Sequence, residues 1–313
     1  MVNRKFIIIT PIYEDAKVAE KLFSEVGKEY GENAYIVAVD DGSLDSVIKI
    51  EAITRSNLQG VILRLNRNVG HQKAIAIGLN YAAIHLNDSR NVVIMDSDGE
   101  DIPSSISFLL EKLDNENTDI VVAKRNSRVE TIKFRLFYFL YKGVFLLLSG
   151  KVINFGNFMA LKPLAVNRLI TMQELWIHVA GCVILSKLRI SHCKIDRGPR
   201  YSGRSKMNFV SLVLHGFKSL MIFSEDVLVR VGIACILIAL VSIAGGMAAI
   251  LLKTFGFATP GWFSVVFGIL TLVFLQTGML TLMSLMLTGV MKGGAATTVD
   301  YRKYVKEVLS AEK

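Results

Sequence analysis

The chain has 313 residues, a formal net charge of +9 and a hydrophobic fraction of 52%. That fraction is too high for an ordinary soluble protein of this length, and the excess lies in residues from about 227 to 291, which are almost free of charge. The basic residues lie beside these apolar segments and form no stripe interleaved with aromatic residues, so we expect anionic membrane lipids as partners and no nucleic acid.

An alternation of strands and helices runs through the first part of the chain. Short apolar runs predict five strands, at Phe6–Ile9, Tyr35–Val39, Val61–Leu65, Val92–Met95 and Asp119–Lys124. Helical spacing predicts the helices between them, at Asp15–Tyr30, Asp45–Ser56, Gln72–Asn87 and Pro103–Glu116. This order is typical of a mostly parallel, three-layer α/β sheet with ligands at the carboxyl ends of the strands. No GxGxxG motif follows the first strand, which disfavours a dinucleotide-binding fold.

Two of the predicted strands end in clustered carboxylates. Asp40–Ser43 follows the second strand, and Asp96–Asp98 follows the fourth. Carboxylates spaced i, i+2 on a turn can hold a hard divalent cation, and that cation can neutralise a diphosphate. Asp41 can accept hydrogen bonds from a base or a ribose, and Gly42 lets a backbone approach closely. These features predict a nucleotide-sugar site; the alternative is that Asp40 and Asp41 only cap a helix and a turn.

The third predicted helix begins with residues suited to an anion. Gly70, His71 and Lys73 lie at its start, where backbone amides without helical partners can face a diphosphate. The alternative is that His71 and Lys73 are ordinary solvated surface residues.

Four apolar segments follow. Ile132–Ser149 and Phe209–Phe223 mix basic with apolar residues and predict helices in the membrane interface, the alternative for the first being a core helix. Val231–Leu252 and Trp262–Met291 are uncharged and long enough, at about 1.5 Å per residue, to cross a hydrocarbon core of about 30 Å. A buried helical hairpin in a soluble core is the disfavoured alternative. The predicted divisions are a nucleotide-sugar-binding core at 1–130, an acceptor-side part at 131–226, two transmembrane helices at 227–291 and a cytosolic tail at 292–313.

Basic residues flank the two predicted spans, whereas the loop between them carries only Lys253. The positive-inside rule therefore predicts a multi-pass protein of the inner (plasma) membrane whose large N-terminal domain and both termini face the cytosol. The flanking residues are Lys218, Arg230, Lys292, Arg302, Lys303 and Lys306.

Five short segments match the pattern of one family when they are taken in order. They are Pro11–Glu14, with Asp15 as an alternative acidic residue, Asp40–Asp45, Arg67–Ala74, Asp96–Asp98 and Arg200–Lys206. With them the chain resembles the family 2 (GT-A fold) glycosyltransferases, and among these the polyprenyl-phosphate glycosyltransferases similar to dolichol-phosphate mannose synthase and bacterial undecaprenyl-phosphate glucosyltransferases. The resemblance covers nearly the whole chain. It implies a GT-A (Rossmann-like) α/β fold with a mostly parallel sheet, interfacial amphipathic helices and two C-terminal transmembrane helices.

The resemblance also implies roles for individual residues. Asp98, Arg204 and Lys206 are expected to be catalytic, and Asp96 and Asp98 are expected to bind Mg²⁺ or Mn²⁺. The residues expected to bind the nucleotide-sugar are Pro11, Tyr13, Glu14, Asp41, Gly42, Ser43, Gly70, His71, Lys73 and Asp96. The residues expected to bind the acceptor phosphate, with lipid headgroups as the alternative ligand, are Arg125, Arg128, Arg200, Arg204, Ser205 and Lys206.

One position departs from the family pattern. Asn157 stands where an Asp often stands, and that Asp has been considered as a base. An amide cannot act as a base, but a phosphate acceptor is already ionised near neutral pH and needs none. The departure leaves open a different acceptor or sugar.

The sequence as a whole predicts an inverting, metal-dependent glycosyltransferase of cell-envelope glycan synthesis. It would move one sugar from a UDP- or GDP-sugar to a polyprenyl (undecaprenyl) phosphate at the cytosolic membrane face. The alternatives are transfer to another lipid or glycan acceptor, and a non-catalytic membrane partner that only binds nucleotide-sugar. A homo-oligomer is left open.

Overall fold

The computed structural model describes residues 5–86, 90–125, 142–202, 209–257, 259, 261–293 and 299–311. The chain divides into two compact units. The first is formed within residues 1–130, 153–222 and 297–313, and the second within 131–152 and 223–296.

The first unit is built on an eight-stranded sheet. Its strands are β1 Phe6–Ile12, β2 Ala34–Asp40, β3 Gln59–Leu65, β4 Asn91–Ile94, β5 Ile120–Arg125, β6 Met159–Leu161, β7 Ile190–Ile195 and β8 Val305–Ser310. They lie in the order β7-β5-β6-β4-β1-β2-β3-β8. Pairing is parallel between β1 and β2, β1 and β4, β2 and β3, and β5 and β7, and it is antiparallel where β6 and β8 join. The predicted mostly parallel α/β fold is confirmed.

Seven helices belong to the described part of this unit. They are α1 Ala16–Tyr30, α2 Glu51–Thr54, α3 His71–His85, α4 Ile106–Asn115, α5 Pro163–Ile170, α6 Val179–Leu185 and α7 Phe209–Ile222. The helix predicted from Asp45 is much shorter than expected, because residues 44–46 form a loop whose amides bind the Glu14 carboxylate.

The core lies on both faces of the sheet. Successive residues of β1 alternate between two clusters: Ile7 and Ile9 pack with the α3 side, and Phe6 and Ile8 pack with the α1 and α4 side. Each fully buried side chain of this size stabilises the fold by about 1.5–3 kcal/mol relative to exposure. Burial on both faces explains why the strands appear in the sequence as unbroken apolar runs.

The segment after the second apolar helix returns to this sheet. Within the predicted tail, β8 pairs antiparallel with β3, and the Asn66 amide donates to the Tyr304 carbonyl oxygen at 2.9 Å. Tyr301 is buried, and its hydroxyl lies 2.6 Å from His85 Nε2. The sequence pattern predicts no strand here, because the short apolar run around Val308 is interrupted by charges and does not stand out from a solvated tail.

The second unit contains two long apolar helices, α8 Ser224–Thr254 and α9 Trp262–Gly293. By length and composition, Ser224–Thr254 and Trp262–Leu287 are each able to cross a membrane. They pack closely on each other: a Cβ added at Gly245 would lie 3.3 Å from a methyl carbon of Leu270. Of the predicted interfacial helix, residues 142–149 are helical and residues 132–141 lie outside the described part of the chain.

Arg64 links the returning strand to the centre of the sheet. Its Nε lies 3.6 Å from Oδ2 of the fully buried Asp40, it forms an ion pair with Glu307 of β8, and it donates to the Ile48 carbonyl oxygen at 3.2 Å. Asp40 Oδ1 accepts the Ser43 amide at 3.1 Å. The buried carboxylate therefore depends on this arginine for its counter-charge.

We predict that Arg64→Met destabilises the first unit much more than Glu307→Gln does. Removing the partner of a buried charge costs about 3–5 kcal/mol, whereas a half-exposed pair contributes at most about 1 kcal/mol. For Arg64→Met this corresponds to a melting temperature lower by about 6–20 °C. Thermal unfolding of the detergent-solubilised protein measures both effects, with Lys306→Gln on the exposed face of β8 as control. Equal shifts for the two variants would contradict the prediction.

Candidate active site

The carboxyl ends of three neighbouring strands form the base of the site. β1 lies between β2 and β4 and is parallel to both. The register places Ile12 opposite Asp40 and Ile9 opposite Ile94. The predicted turns at residues 11–14, 40–43 and 96–98 therefore lie side by side at one edge of the sheet.

Asp41 joins the end of β2 to the start of α3. Its Oδ1 accepts the Val69 amide at 2.7 Å, and its Oδ2 accepts the Gly70 amide at 3.0 Å. Burial raises the pKa of Asp41, although these two amides act in the opposite direction. Asp41 thus holds the loop that carries the predicted anion site, a long-range contact that neither a helix cap nor a local turn would make.

Gly42 is required by the same close approach. Its φ is +73°, and a Cβ there would lie 2.4 Å from the Arg67 carbonyl carbon. Any other residue would push the loop at 67–70 away from β2. No helix begins at Asp40 or Asp41, since α2 begins at Glu51, so the capping alternative holds only for the local turn between Asp40 and Ser43.

Glu14 shapes the neighbouring loop. Its carboxylate oxygens accept the amides of Leu44 at 2.6 Å, Asp45 at 3.1 Å and Ser46 at 2.7 Å. Its own amide donates to Ser43 Oγ at 2.9 Å, and its φ is +50°, which is unusual for a residue with a side chain. The structure therefore directs the Glu14 side chain at the loop, while Tyr13 beside it is exposed; nucleotide-sugar contact by either residue stays a prediction.

The Asp96–Asp98 turn is shaped by its own neighbours. The Asp96 amide donates to Asp101 Oδ2 at 2.9 Å, the Ser97 hydroxyl donates to the Pro11 carbonyl oxygen at 3.1 Å, and the Glu100 amide donates to Asp98 Oδ1 at 3.0 Å. Burial raises the pKa of Asp98, and the Asp96 charge adds to the rise, while the Glu100 amide and Arg200 lower it. Sequence reasoning missed the supporting role of Asp101, which is buried.

The carboxylates of the acidic turn suit a divalent cation whose remaining ligands come from water and a substrate. Among the described residues, no three His, Cys, Asp or Glu side chains are grouped to hold a metal ion. Two carboxylates on one turn match the usual Mg²⁺ arrangement, in which one or two protein carboxylates are completed by water and substrate phosphates. Asp96 and Asp98 are the residues that would hold such an ion.

His71 faces the acidic turn from the first position of α3. Its Nε2 lies 3.2 Å from Asp96 Oδ1 and 3.0 Å from Asn157 Nδ2. Burial lowers the pKa of His71, but the carboxylates of Asp96, Asp41 and Asp101 outweigh that effect, so that its pKa is raised. His71 is 43% exposed, but it faces Asp96 and Asn157, whereas Lys73 is exposed on the same helical turn; contact of either residue with a diphosphate stays a prediction.

Asn157 takes part in a chain of amide hydrogen bonds behind His71. The Gln72 Nε2 donates to Asn157 Oδ1 at 3.4 Å, and Gln72 Oε1 accepts the Val179 amide at 2.7 Å. Because a backbone amide can only donate, Val179 orients Gln72, whose NH₂ group faces Asn157 Oδ1. The Asn157 NH₂ group can then donate to His71 Nε2 when His71 is neutral, and not when Nε2 carries the proton that faces Asp96. Asn157 also lines a cleft with Asp96, Phe158 and Arg197. Gln72 was missed by the sequence analysis, because nothing in its spacing marks it.

A segment after β7 lies against the acidic turn. The Gly198 amide donates to the Glu100 carbonyl oxygen at 3.0 Å, and the Tyr201 amide donates to the Asp98 carbonyl oxygen at 3.0 Å. Arg200 Nη2 lies 2.9 Å from Asp98 Oδ2. We call residues 196–202 the strap.

The remaining predicted phosphate-binding residues are placed only in part. Arg125 is the last residue of β5, whose carboxyl end lies at the same edge of the sheet as that of β4. Arg128, Arg204, Ser205 and Lys206 lie outside the described residues. Their roles stay predictions.

Comparison with known proteins supports the fold and assigns the family. Residues 7–155 match the model of glycosyl transferase family 2. The chain is 30% identical over 279 residues to uncharacterized glycosyltransferase sll0501 of Synechocystis sp., covering 85% of this chain and 84% of that protein. It is 27% identical over 269 residues to uncharacterized glycosyltransferase YkoT of Bacillus subtilis, covering 83% of this chain and 75% of that protein.

A solved structure shares the fold at low sequence identity. Glucosyl-3-phosphoglycerate synthase from Mycobacterium tuberculosis, in complex with Mn²⁺, UDP and phosphoglyceric acid, aligns with a TM-score of 0.51 and 15% identity, covering 73% of this chain and 78% of that one. The sheet order, the acidic strand ends, the family match and the relative with 30% identity lead to one conclusion: this chain belongs to glycosyl transferase family 2 and has its GT-A fold.

Proposed function

We propose that this protein is an inverting, metal-dependent glycosyltransferase that moves one sugar from a nucleotide-sugar to a polyprenyl phosphate at the cytosolic face of the membrane. One observation carries the proposal. Asp96, after β4, faces His71 in the first turn of α3 at the carboxyl edge of the sheet, in a chain that continues into two helices of membrane-spanning length.

The donor site follows from charge and position. The diphosphate would lie between Asp96–Asp98 and the start of α3, where Gly70 and His71 present a helix N-terminus and Lys73 adds a positive charge. A bound Mg²⁺ or Mn²⁺ on Asp96 and Asp98 would neutralise the leaving diphosphate. UDP is the favoured nucleotide, because a synthase of the same fold was crystallised with UDP and Mn²⁺; a GDP-sugar stays the alternative.

The transfer requires one displacement. An oxygen of the lipid phosphate attacks the anomeric carbon from the side opposite the diphosphate, so that the bond to the nucleotide breaks as the new bond forms and the configuration inverts. A phosphate is already ionised near neutral pH and has no proton to lose. Asn157, which cannot act as a base, is compatible with such an acceptor. Arg200, Arg204 and Lys206 would stabilise the gathered negative charge.

The membrane part supports a lipid acceptor. The first unit precedes α8, and β8 of the same unit follows α9. Two consecutive spans between parts of one sheet return the chain to the side from which it left. The basic residues beside the spans favour the cytosol for that side.

A second candidate is transfer to another lipid or to a glycan. Asn157 lines the cleft and stands where the family often has a carboxylate, so this departure leaves a different acceptor open. A hydroxyl acceptor would need a base from another residue.

The test is transfer itself. Purified protein is incubated with a panel of radiolabelled UDP- and GDP-sugars and undecaprenyl phosphate, followed by lipid extraction. We expect label from one nucleotide-sugar in the lipid fraction. Label only on diacylglycerol or an added glycan would favour the second candidate. Tight nucleotide-sugar binding without any transfer would instead indicate the non-catalytic alternative.

We predict that Asp98→Ala abolishes transfer and that EDTA does the same to the parent protein, with recovery on adding Mn²⁺. The physical reason is that the leaving diphosphate needs the positive charge of the metal ion, and Asp96 alone cannot hold that ion in place. Asp114→Ala on α4, away from the carboxyl ends of the strands, is the control carboxylate. Full activity in EDTA would remove the metal from the mechanism without affecting the fold.

We predict that a reporter fused after Lys313 is cytosolic, because β8 belongs to the same sheet as the N-terminal strands. Paired phosphatase and fluorescent-protein fusions measure this. A fusion in the loop near Thr259, between α8 and α9, should report the outer face. A C-terminal reporter active outside the cytosol would contradict the proposed topology.

A further inference from the structure

The Arg200 guanidinium holds the carboxylate that the proposed function assigns to the metal. Its Nη2 lies 2.9 Å from Asp98 Oδ2, and its Nε donates to Glu100 Oε1 at 2.9 Å. The side chains of Arg200, Asp98 and Glu100 are 30%, 22% and 14% exposed. A forked cation bound by two carboxylates in a partly desolvated position is a strong, directional contact.

The backbone fixes this contact. The Tyr201 and Gly198 amides donate to the carbonyl oxygens of Asp98 and Glu100, so the strap is bound to the acidic turn on both sides of Arg200. The Tyr201 ring covers Gly99, where a Cβ would lie 2.7 Å from the ring. The Tyr201 hydroxyl donates to Glu25 of α1, and Lys21 Nζ lies 4.3 Å from the ring centroid. Arg200 is therefore presented to Asp98 by an anchored segment.

Both oxygens of Asp98 are engaged in this arrangement. Oδ1 accepts the Glu100 amide, and Oδ2 faces Arg200. A divalent cation at Asp98 would meet the guanidinium at the same carboxylate, and a divalent and a monovalent cation about 4 Å apart repel each other by about 2 kcal/mol even in water. The two cations therefore compete for Asp98.

We propose that Arg200 is a built-in competitor of the metal at Asp98, so that the metal binds firmly only together with a nucleoside diphosphate. This inference rests on the proposed metal role of Asp96 and Asp98. The diphosphate supplies the remaining oxygen ligands to the ion, and its negative charge offers Arg200 a new partner. The guanidinium that leaves Asp98 is then available to a phosphate group. This exchange connects the observed contact of Arg200 with Asp98 to its predicted role in binding the acceptor phosphate.

Arg197 provides a matched control on the same strap. It forms an ion pair with Glu100, and its charge is the same, but the structure places it on Glu100 and not on the metal carboxylate. Arg197→Gln therefore removes an equal charge from the neighbourhood without vacating Asp98.

The experiment measures Mn²⁺ binding by electron paramagnetic resonance on the full-length protein in detergent, with and without UDP. Without UDP, we expect Arg200→Gln to bind Mn²⁺ about tenfold more tightly than the parent protein, and Arg197→Gln to change the affinity by less than about threefold. With UDP, the advantage of Arg200→Gln should disappear, because Arg200 no longer occupies Asp98. Arg200→Lys keeps a charge without the fork and should lie between the two.

The outcomes separate this inference from the proposed function. Tight Mn²⁺ binding by the parent with UDP, and no gain from Arg200→Gln without it, would overturn the role of Arg200 and leave the metal in place. Equal gains for Arg200→Gln and Arg197→Gln would overturn it as well, since only general charge would then matter. No Mn²⁺ binding by any variant with UDP would remove the metal from the proposed function itself. Melting temperatures identify a misfolded variant, and Arg200→Lys then decides the question.

Discussion

Parallel pairing of β1 with both β2 and β4 is the constraint on which the site depends. It places three strand ends at one edge and brings the turns of residues 11–14, 40–43 and 96–98 together from distant parts of the chain. The pairing is stabilised by burial of each strand on both faces, with Ile8 and Ile9 of β1 fully buried on opposite sides. Without that burial, the acidic turns would have no common position.

The carboxylates that meet at this edge of the sheet need partners for their negative charge. Asp40 is buried beside Arg64, Asp41 is bound by two backbone amides, and Asp98 is held by Arg200. The three contacts differ in how firmly the surrounding structure fixes them. The Arg64 contact is part of the core, and the amides bound to Asp41 belong to the loop at 67–70. Arg200 lies on the strap, and we propose that its side chain changes partner there. The replaceable counter-charge is thus the one nearest the predicted metal and phosphates.

The strand β8 returns the chain to the sheet of the first unit after α9. β8 extends the sheet beside β3, and Glu307 shares Arg64 with Asp40, the residue before Asp41. The chain that follows α9 is therefore a structural part of the sheet that carries the site. This arrangement fits the proposed transfer from a soluble nucleotide-sugar to an acceptor in the membrane.

The sequence by itself determined the α/β order, the acidic strand ends and the two long apolar helices. Those features depend on local patterns: unbroken apolar runs of strand length, carboxylates and glycine directly after them, and uncharged runs above membrane length. Tertiary structure alone decided which side chains meet. Four contacts show this: the return of residues 305–310 to β3, the support of the acidic turn by Asp101, the link from Val179 through Gln72 and Asn157 to His71, and the contact of Arg200 with Asp98. Each joins residues that are far apart in sequence or unmarked by pattern. Such contacts depend on strand order and on the orientation of hydrogen-bond donors, which no spacing of residues along the chain encodes.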